Sequence, residues 1–245
     1  MVSIVIDGLD FHDRLGPQNY DLVTRALRWG GPAAIDNILK DVNLNGTLVA
    51  DVGIGTGALS DMFRRRGVNE IIGVDGAPDF LTNVMLNGKA DRIALADLKH
   101  DQIPLTTESM NLVTASGVLP YLDDPSNAIN EMTRITKMDG YIAVNFHPSQ
   151  NPMQTSMEKI SASALFKRSA VPTVYVLYHH AVPEITGRFA LAGADFVRAV
   201  TTSQGVMRAT DESWLPLTTY LFQKKMETPK PFKFTPGPDN MQFKP

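Results

Sequence analysis

The stretch "LVADVGIGTGALS", Leu48–Ser60, contains three glycines within five residues. Leu48–Val52 is a short, mostly apolar run typical of a buried strand, and Ala58–Arg66 has the pattern of a helix that ends at Gly67. The stretch therefore predicts a strand, a tight glycine turn and a helix. Because glycine loses more backbone entropy on folding than any other residue, three glycines here indicate a backbone shape that a Cβ would forbid.

Strand and helix patterns alternate on from this turn. The strand-like segments are Leu48–Val52, Glu70–Val74, Arg92–Ala96, Met110–Ala115 and Gly140–Phe146, and the helical ones are Ala58–Arg66, Pro78–Leu86 and Pro125–Lys137. Such alternation predicts an α/β fold, in which helices cover both faces of a mostly parallel sheet.

The alternation breaks after Phe146. We expect one or two helices in Ser149–Phe166 and a β-rich segment in Val171–Tyr178. A helix at Glu184–Ala192 and a closing pair of strands are expected to follow. We divide a single domain of 245 residues into five parts: an N-terminal helical cap (1–46), a cofactor-binding core (47–146), an acceptor lid insert (147–180), a closing helix and strands (181–225) and a Pro-rich tail (226–245).

Composition and charge narrow the function classes. The net charge is −3 and the basic residues are scattered, so a surface that follows nucleic-acid phosphates is not indicated. The absence of cysteine excludes disulfides, thiolate metal sites and cysteine nucleophiles, and we predict no metal site. The N-terminus lacks a secretory pattern and no apolar run is long enough for a membrane span. We therefore expect a cytoplasmic protein, either a monomer or a homodimer.

The glycine turn fits two ligand classes. Gly53, Gly55 and Ala58 have the spacing of the dinucleotide fingerprint, which allows alanine at its last position. The alternative pattern begins at an acid and runs Asp51-x-Gly53-x-Gly55-Thr56-Gly57. Ligands of such sheets bind beyond the carboxyl ends of the strands, where Asp51 would repel a pyrophosphate and favour an ammonium group.

Two more acids follow the next predicted strands. Asp75 ends the second strand, where a carboxylate can accept hydrogen bonds from both hydroxyls of a ribose. Asp97 ends the third strand, where a carboxylate can accept one from an adenine amino group. Acids at three successive strand ends suit a cationic adenosine, and S-adenosylmethionine is such a ligand.

Five segments carry a resemblance to a known family. They are "ADVGIGTG" (50–57), "IIGVDGAPDFL" (71–81), "ALADL" (94–98), "MNLVTASGVLPYLDDP" (110–125) and "EMTRITKMDGYIAVNF" (131–146). In this order and spacing they resemble the class I S-adenosylmethionine-dependent methyltransferases. "FHDRLGPQNYDLV" (11–23) is similar to the entry helix of the ubiquinone-biosynthesis-type and Williams–Beuren-region methyltransferase-like members. The resemblance implies a Rossmann-like, seven-stranded sheet whose last strand is antiparallel.

The resemblance also implies a set of cofactor-binding residues. They are Tyr20, Asp51, Gly53, Gly55, Thr56, Gly57, Asp75, Gly76, Asp97, Leu98, Ser116 and Gly117. The glycines would let the backbone pass under the methionine part, Asp51 would organise its ammonium group, and Ser116 would face the methionine end. Tyr20 would close over the cofactor. A bulky residue often follows the ribose acid, but Gly76 stands here, so Phe80 or Leu98 is expected to pack on the adenine instead.

The histidines supply the candidates for catalysis. His147 directly follows the fifth strand, so it is the best candidate for a general base if the acceptor is a hydroxyl. His179 is the second candidate, from the insert. His12 is close to Tyr20 and could line the site, but we expect a surface role for it. His100 is expected in a solvated loop.

The segments outside the sheet should recognise the acceptor. They hold an apolar and aromatic collection of side chains without excess positive charge: His12, Tyr20, Trp29, Met153, Met157, Phe166, Tyr175, Tyr178 and His179. We therefore expect methyl transfer from S-adenosylmethionine to O, N or C of a small organic acceptor in specialised metabolism, with S-adenosylhomocysteine as the product. One alternative is an enzyme of this fold that keeps the cofactor without methylating, such as a pericyclase. An NAD-dependent dehydrogenase is less favoured.

Overall fold

The computed structural model describes residues 4–151, 153–161, 173–207 and 214–225, and the account below concerns these residues. The elements in chain order are β1 (Ile4–Ile6), α1 (Gly8–Ala26), α2 (Gly31–Ile38), β2 (Leu48–Val52), α3 (Ser60–Arg65), β3 (Glu70–Asp75), α4 (Pro78–Leu86), β4 (Arg92–Leu95), β5 (Met110–Ser116), a 3₁₀ turn (Leu119–Tyr121), α5 (Ser126–Ile135), β6 (Thr136–Phe146), β7 (Ser156–Ser161), β8 (Thr173–His179), α6 (Val182–Leu191), β9 (Ala194–Met207) and β10 (Trp214–Lys224).

The central sheet has seven strands in the order β4-β3-β2-β5-β6-β10-β9. Neighbours from β4 to β6 pair in parallel, whereas β10 is antiparallel to both β6 and β9. The expected mostly parallel sheet with an antiparallel last strand is confirmed. Parallel pairing brings the carboxyl ends of β2, β3, β4 and β5 to one edge of the sheet, which places the predicted acids and glycines together.

Helices cover both faces of this sheet, as predicted. On one face, Ala50 and Val52 of β2 share a buried cluster with Ile129 of α5 and Phe189 of α6. On the other face, Val49 packs with buried residues of α2 and α3. Neighbouring residues of β2 therefore point to opposite helical layers, which follows from the two-residue period of a strand.

The insert forms a separate sheet with the N-terminus. Its strand order is β1-β8-β7, with β8 parallel to β1 and antiparallel to β7. The expectation that this segment stays outside the central sheet is confirmed for its described residues. The helix expected in Ser149–Phe166 is wrong at 156–161, because pairing with β8 overrides the weak local pattern. Phe166 and the Pro-rich tail from 226 lie outside the described residues.

The N-terminal cap contains β1 in addition to the predicted helices. Its long helix α1 is kinked at Gly16, whose φ is 70°, immediately before Pro17. Phe11 and Leu15 on the first half of α1 are buried against Leu177 of β8. The cap and the insert therefore form one packed layer over the sheet edge. Within the described residues, no helix is long and apolar enough to cross a membrane.

Candidate cofactor and acceptor sites

The glycine turn has backbone angles that residues with a side chain rarely adopt. Gly53, Gly55 and Gly57 have φ angles of 67°, 55° and 76°, all in the left-handed region. A Cβ on Gly53 would also collide with Val118, and one on Gly57 would lie 2.7 Å from Lys89 Cβ. Conformation thus favours glycine at all three positions, and close packing adds to this at Gly53 and Gly57.

Asp75 connects this turn to the end of β3. Its Oδ2 accepts a hydrogen bond from the Gly55 N–H at 2.9 Å, and its Oδ1 accepts one from the Ala77 N–H at 3.0 Å. Burial raises the pKa of Asp75, while these backbone donors oppose that shift. The carboxylate therefore orients the glycine turn and also borders the cavity above it.

The cavity above the turn is partly open to solvent. It brings together most of the predicted cofactor residues: Tyr20, Gly53, Gly55, Asp75, Gly76, Asp97, Leu98, Ser116 and Gly117. Two carboxylates line it, and no Lys or Arg occurs among its described lining residues. A cation is therefore better accommodated than a pyrophosphate, which favours S-adenosylmethionine over a dinucleotide.

Three predicted cofactor residues lie behind the cavity surface. Asp51 is 2% exposed and its Oδ1 accepts a hydrogen bond from Thr114 Oγ1 at 2.7 Å. Burial raises the pKa of Asp51 to about 7. Thr56 Oγ1 donates to Asp21 Oδ1 of α1 at 2.7 Å, and Gly57 packs on Lys89. Direct contact of these residues with the cofactor stays a prediction.

Local hydrogen bonds fix the remaining polar groups of the cavity. Asp97 Oδ1 accepts from the Lys99 N–H at 3.0 Å, which holds the carboxylate in an Asx turn. Asn145, buried at the end of β6, accepts from the Gly117 N–H at 2.8 Å and donates to Ser116 Oγ at 3.2 Å. Asn145 was not anticipated from sequence, since its partners lie about 28 residues away.

Gly76 departs from the family pattern, and α1 compensates for it. A Cβ on Gly76 would lie 3.0 Å from Leu9 Cδ1, so the leucine occupies the neighbouring space. Phe80 and Leu98 also line the cavity, where they were expected to pack on the adenine. No local sequence pattern predicts the contact of Leu9 with Gly76, because this contact depends on how α1 crosses the sheet edge.

An aromatic cluster forms the wall next to α1. His12 lies in it, with its ring centroid 5.4 Å from that of Tyr20 and 4.7 Å from that of Tyr121. Its Nδ1 donates to the Gly8 carbonyl at 2.5 Å, and burial lowers its pKa. The expected surface role for His12 is wrong because α1 turns this face inward. His100 is exposed, as expected.

A second cavity adjoins the first. It is lined by Phe11, Leu15, Tyr20, Val23, Thr24, Leu27, Trp29, Gly117, Pro120, Tyr121, His147 and Leu177. Tyr20, Gly117 and Tyr121 belong to both cavities. Of the expected acceptor residues, Tyr20 and Trp29 line this cavity and His12 lines the first, whereas Tyr178, His179 and the exposed Met153 and Met157 line neither. Contact of any of them with an acceptor stays a prediction. The side chains of Phe166 and Tyr175 lie outside the described set.

His147 is the one histidine among the described residues that line the second cavity. It is 4% exposed and its Nδ1 lies 2.8 Å from the Pro216 carbonyl oxygen. Because a carbonyl only accepts, Nδ1 carries the proton and Nε2 is the basic nitrogen of the neutral ring. The ring of His179 is 5.9 Å away, between centroids, and its Nε2 lies 3.1 Å from Glu158 Oε2. His179 is not among the residues that line either cavity.

Comparison with known proteins agrees with this geometry. Residues 50–144 match the methyltransferase domain family. Together with the sheet order and the site, this match supports a class I S-adenosylmethionine-dependent methyltransferase, with S-adenosylmethionine as its cofactor. Among the described residues, no group of three or more histidine, aspartate or glutamate side chains could hold a metal ion.

Individual relatives are distant. Human methyltransferase-like protein 27 is 28% identical over 60% of this chain and 60% of its own length. Demethylmenaquinone methyltransferase from Renibacterium salmoninarum is 28% identical over 67% of this chain and 71% of its own length. The structure of magnesium protoporphyrin IX methyltransferase from Synechocystis PCC 6803 with bound SAH has a TM-score of 0.62 at 17% identity, and the match covers 88% of this chain and 98% of that one. The last likeness concerns the fold alone.

Proposed function

We propose that this protein transfers a methyl group from S-adenosylmethionine to a small organic acceptor held in the second cavity. The observation that carries the proposal is that the two cavities adjoin at Tyr20, Gly117 and Tyr121. When bound, the cofactor supplies an electrophilic methyl group. The main task of the protein is then to hold a nucleophile about 3 Å behind that methyl and to exclude water.

The cofactor would bind with its adenosine between Asp75 and Asp97 and its methionine part along the glycine turn. Asp75 is already ordered by two backbone donors, so its position does not depend on the ligand. The Ser116–Gly117 segment is held from behind by Asn145, which leaves it preorganised for the methionine end. Asp51, below the turn, would act on the ammonium group through an intervening water.

The lining of the second cavity supports a small and largely apolar acceptor. Its described lining residues include no Lys, Arg, Asp or Glu, and most of them are aliphatic or aromatic. A charged polymer such as a nucleic acid would find no cationic partners there. The demethylmenaquinone methyltransferase relative is also named for a small organic substrate. Specialised metabolism, a cytoplasmic location and the oligomeric state stay predictions.

His147 is the proposed general base for an acceptor with a hydroxyl group. Its Nδ1 proton is engaged by Pro216, so Nε2 would take the proton from the acceptor. His179 lies 5.9 Å from it, between ring centroids, and lines neither cavity, so we assign His179 a supporting position and no contact with the acceptor. An acceptor nitrogen or carbon that loses its proton easily would not need this base.

The deciding experiment incubates the purified protein with methyl-labelled S-adenosylmethionine and a metabolite extract. We expect one metabolite to gain the mass of one labelled methyl group while S-adenosylhomocysteine accumulates. Calorimetry on the same sample should show binding of both cofactor forms and none of NAD. Cofactor binding with a chemically altered but unmethylated metabolite would instead favour the non-methylating alternative.

A further inference from the structure

Tyr20 and Tyr121 stand at the boundary between the two cavities. Both tyrosines line the cofactor cavity and also the acceptor cavity. A methyl group that passes from cofactor to acceptor must cross this boundary, so the sulfur that carries it would lie beside these rings. This placement rests on the proposed function.

The packing of α1 fixes the position of Tyr121. A Cβ on Gly8 would lie 2.5 Å from Tyr121 Cβ, so only glycine at position 8 allows the tyrosine to approach the helix this closely. The His12 ring meets that of Tyr121 edge to face, with 4.7 Å between centroids. Since Gly8 also accepts the His12 hydrogen bond, one turn of α1 holds both rings in place.

Ring contacts also hold Tyr20. Its ring lies 5.5 Å from that of Phe80 at an interplanar angle of 87°, and 5.4 Å from that of His12. Its Cε1 lies 3.7 Å from the position that a Cβ of Gly55 would take, so the ring covers the glycine turn. The two tyrosines therefore belong to one aromatic wall around His12.

The surroundings of this wall favour a positive charge. The negative faces of aromatic rings attract cations, and the cavity contains carboxylates but no described Lys or Arg. Burial lowers the pKa of His12, so its ring adds no competing positive charge at neutral pH. S-adenosylmethionine is a sulfonium cation at the atom beside this wall, whereas S-adenosylhomocysteine is neutral there.

We propose that Tyr20 and Tyr121 form a sulfonium clamp that distinguishes S-adenosylmethionine from S-adenosylhomocysteine by cation–π attraction. The clamp stabilises the charged cofactor before transfer and loses its attraction once the sulfur becomes neutral. Tyr20 and Tyr121 are thus specificity-determining residues for the charge state of the ligand. The neutral product lacks this attraction and is therefore held less tightly than it would be with a charged sulfur.

The test measures the dissociation constants of both ligands by calorimetry for wild type, Tyr20→Leu and Tyr121→Leu, with Tyr20→Phe and Tyr121→Phe as matched controls. Each leucine variant should lose about 2- to 30-fold in affinity for S-adenosylmethionine. Its affinity for S-adenosylhomocysteine should change much less. The phenylalanine variants keep the ring and should keep the wild-type ratio of the two constants. Equal losses for both ligands would mean that the tyrosine rings do not distinguish the charged sulfur from the neutral one, which would overturn the clamp.

A second measurement covers the case in which a leucine variant does not fold. Phenylalanine analogues with one, two or three ring fluorines, placed at position 121, keep the shape of the ring and weaken its negative face. Affinity for S-adenosylmethionine should fall stepwise with fluorination, while that for S-adenosylhomocysteine stays level; two level series would refute the clamp. Both readouts are binding ratios, so a protein that binds the cofactor without methylating would contradict the proposed function and still test the clamp.

Discussion

The two adjoining cavities are similar in size but are built in different ways. The cofactor cavity consists of strand ends, a glycine turn and carboxylates that backbone N–H groups hold in place. The acceptor cavity is lined mainly by α1, the following loop, the 3₁₀ turn and β8, together with Gly117 and His147 from the ends of β5 and β6. In the proposed function the cofactor is thus recognised mainly by the sheet, whereas the acceptor is recognised mainly by elements around it. Changes at Phe11, Leu15 or Leu177, which line the acceptor cavity alone, should alter the acceptor without disturbing the cofactor site.

The largest effect is expected from His147→Ala, which tests the acceptor cavity alone. For a hydroxyl acceptor, turnover should fall by about 10²- to 10⁴-fold because the general base is lost. The dissociation constant of S-adenosylmethionine should stay close to the wild-type value, since His147 does not line the cofactor cavity. Steady-state kinetics with calorimetry would show this, and His100→Ala in an exposed loop is the matched control. Parallel losses in turnover and cofactor affinity would break the separation of the two cavities.

Asp75→Ala tests the cofactor cavity in the same way. Loss of charge-assisted hydrogen bonds should weaken binding of the cofactor by about 1.5–3 kcal/mol, or roughly 10- to 150-fold. Both cofactor forms should be affected equally, because the ribose is common to them. The control is Asp79→Ala, on the exposed surface of α4. An unchanged affinity would mean that the ribose lies elsewhere.

Asp51→Asn tests how the buried carboxyl group beneath the glycine turn affects the pH dependence of stability. Burial raises the pKa of Asp51 from 3.8 in the unfolded chain to about 7, so the folded protein binds this proton more tightly. The contribution of the neutral Asp51 to the free energy of unfolding is complete below about pH 4 and is lost as the pH rises through about 7. The free energy of unfolding falls by at most about 1.4 kcal/mol per pH unit in this range.

Asparagine does not ionise and can still accept the hydrogen bond from Thr114. Urea denaturation between about pH 4 and 7 should therefore show that the variant gains stability relative to wild type as pH rises. The comparison of the two proteins cancels the titration of other groups. A constant difference between the two curves would show that Asp51 is ionised throughout this range.

The smallest effect is expected from Thr56→Val, which removes the hydrogen bond between the glycine turn and Asp21 of α1. A loss of about 0.5–1.5 kcal/mol should raise the dissociation constant of S-adenosylmethionine by roughly 2- to 10-fold. Hydrogen exchange should become faster in the second half of α1 and remain unchanged in β2. Thr82→Val on exposed α4 serves as the control. Equal exchange in α1 of both variants would argue against the link.

The sequence predicted the cofactor side of the molecule well because its determinants are local. The bounds of β2 and α4 are as predicted, since apolar runs and a proline at the first turn mark them directly. Asp75 and Asp97 follow from position alone, because every parallel strand ends at the same edge.

The elements that surround the sheet edge were harder to predict because their contacts join distant segments. Tyr121, Leu9 and His12 meet at one wall only after α1 has crossed the sheet edge, and no periodicity records that crossing. The strand β7 is similar: its pairing with β8 decides its structure, so its own residues gave the wrong element. Long-range pairing of this kind leaves no mark in a local pattern.

The parallel pairing of β1 with β8 has a consequence for protein engineering. Residues 4–6 of the N-terminus lie in register with 173–175 of the insert, although about 170 residues separate them along the chain. A chimera that takes the insert from another methyltransferase would therefore leave its own first strand beside a foreign neighbour. Acceptor preference should transfer between relatives only when the N-terminal strand and the insert are exchanged together. The two segments therefore form one unit for engineering, although they are far apart in the sequence.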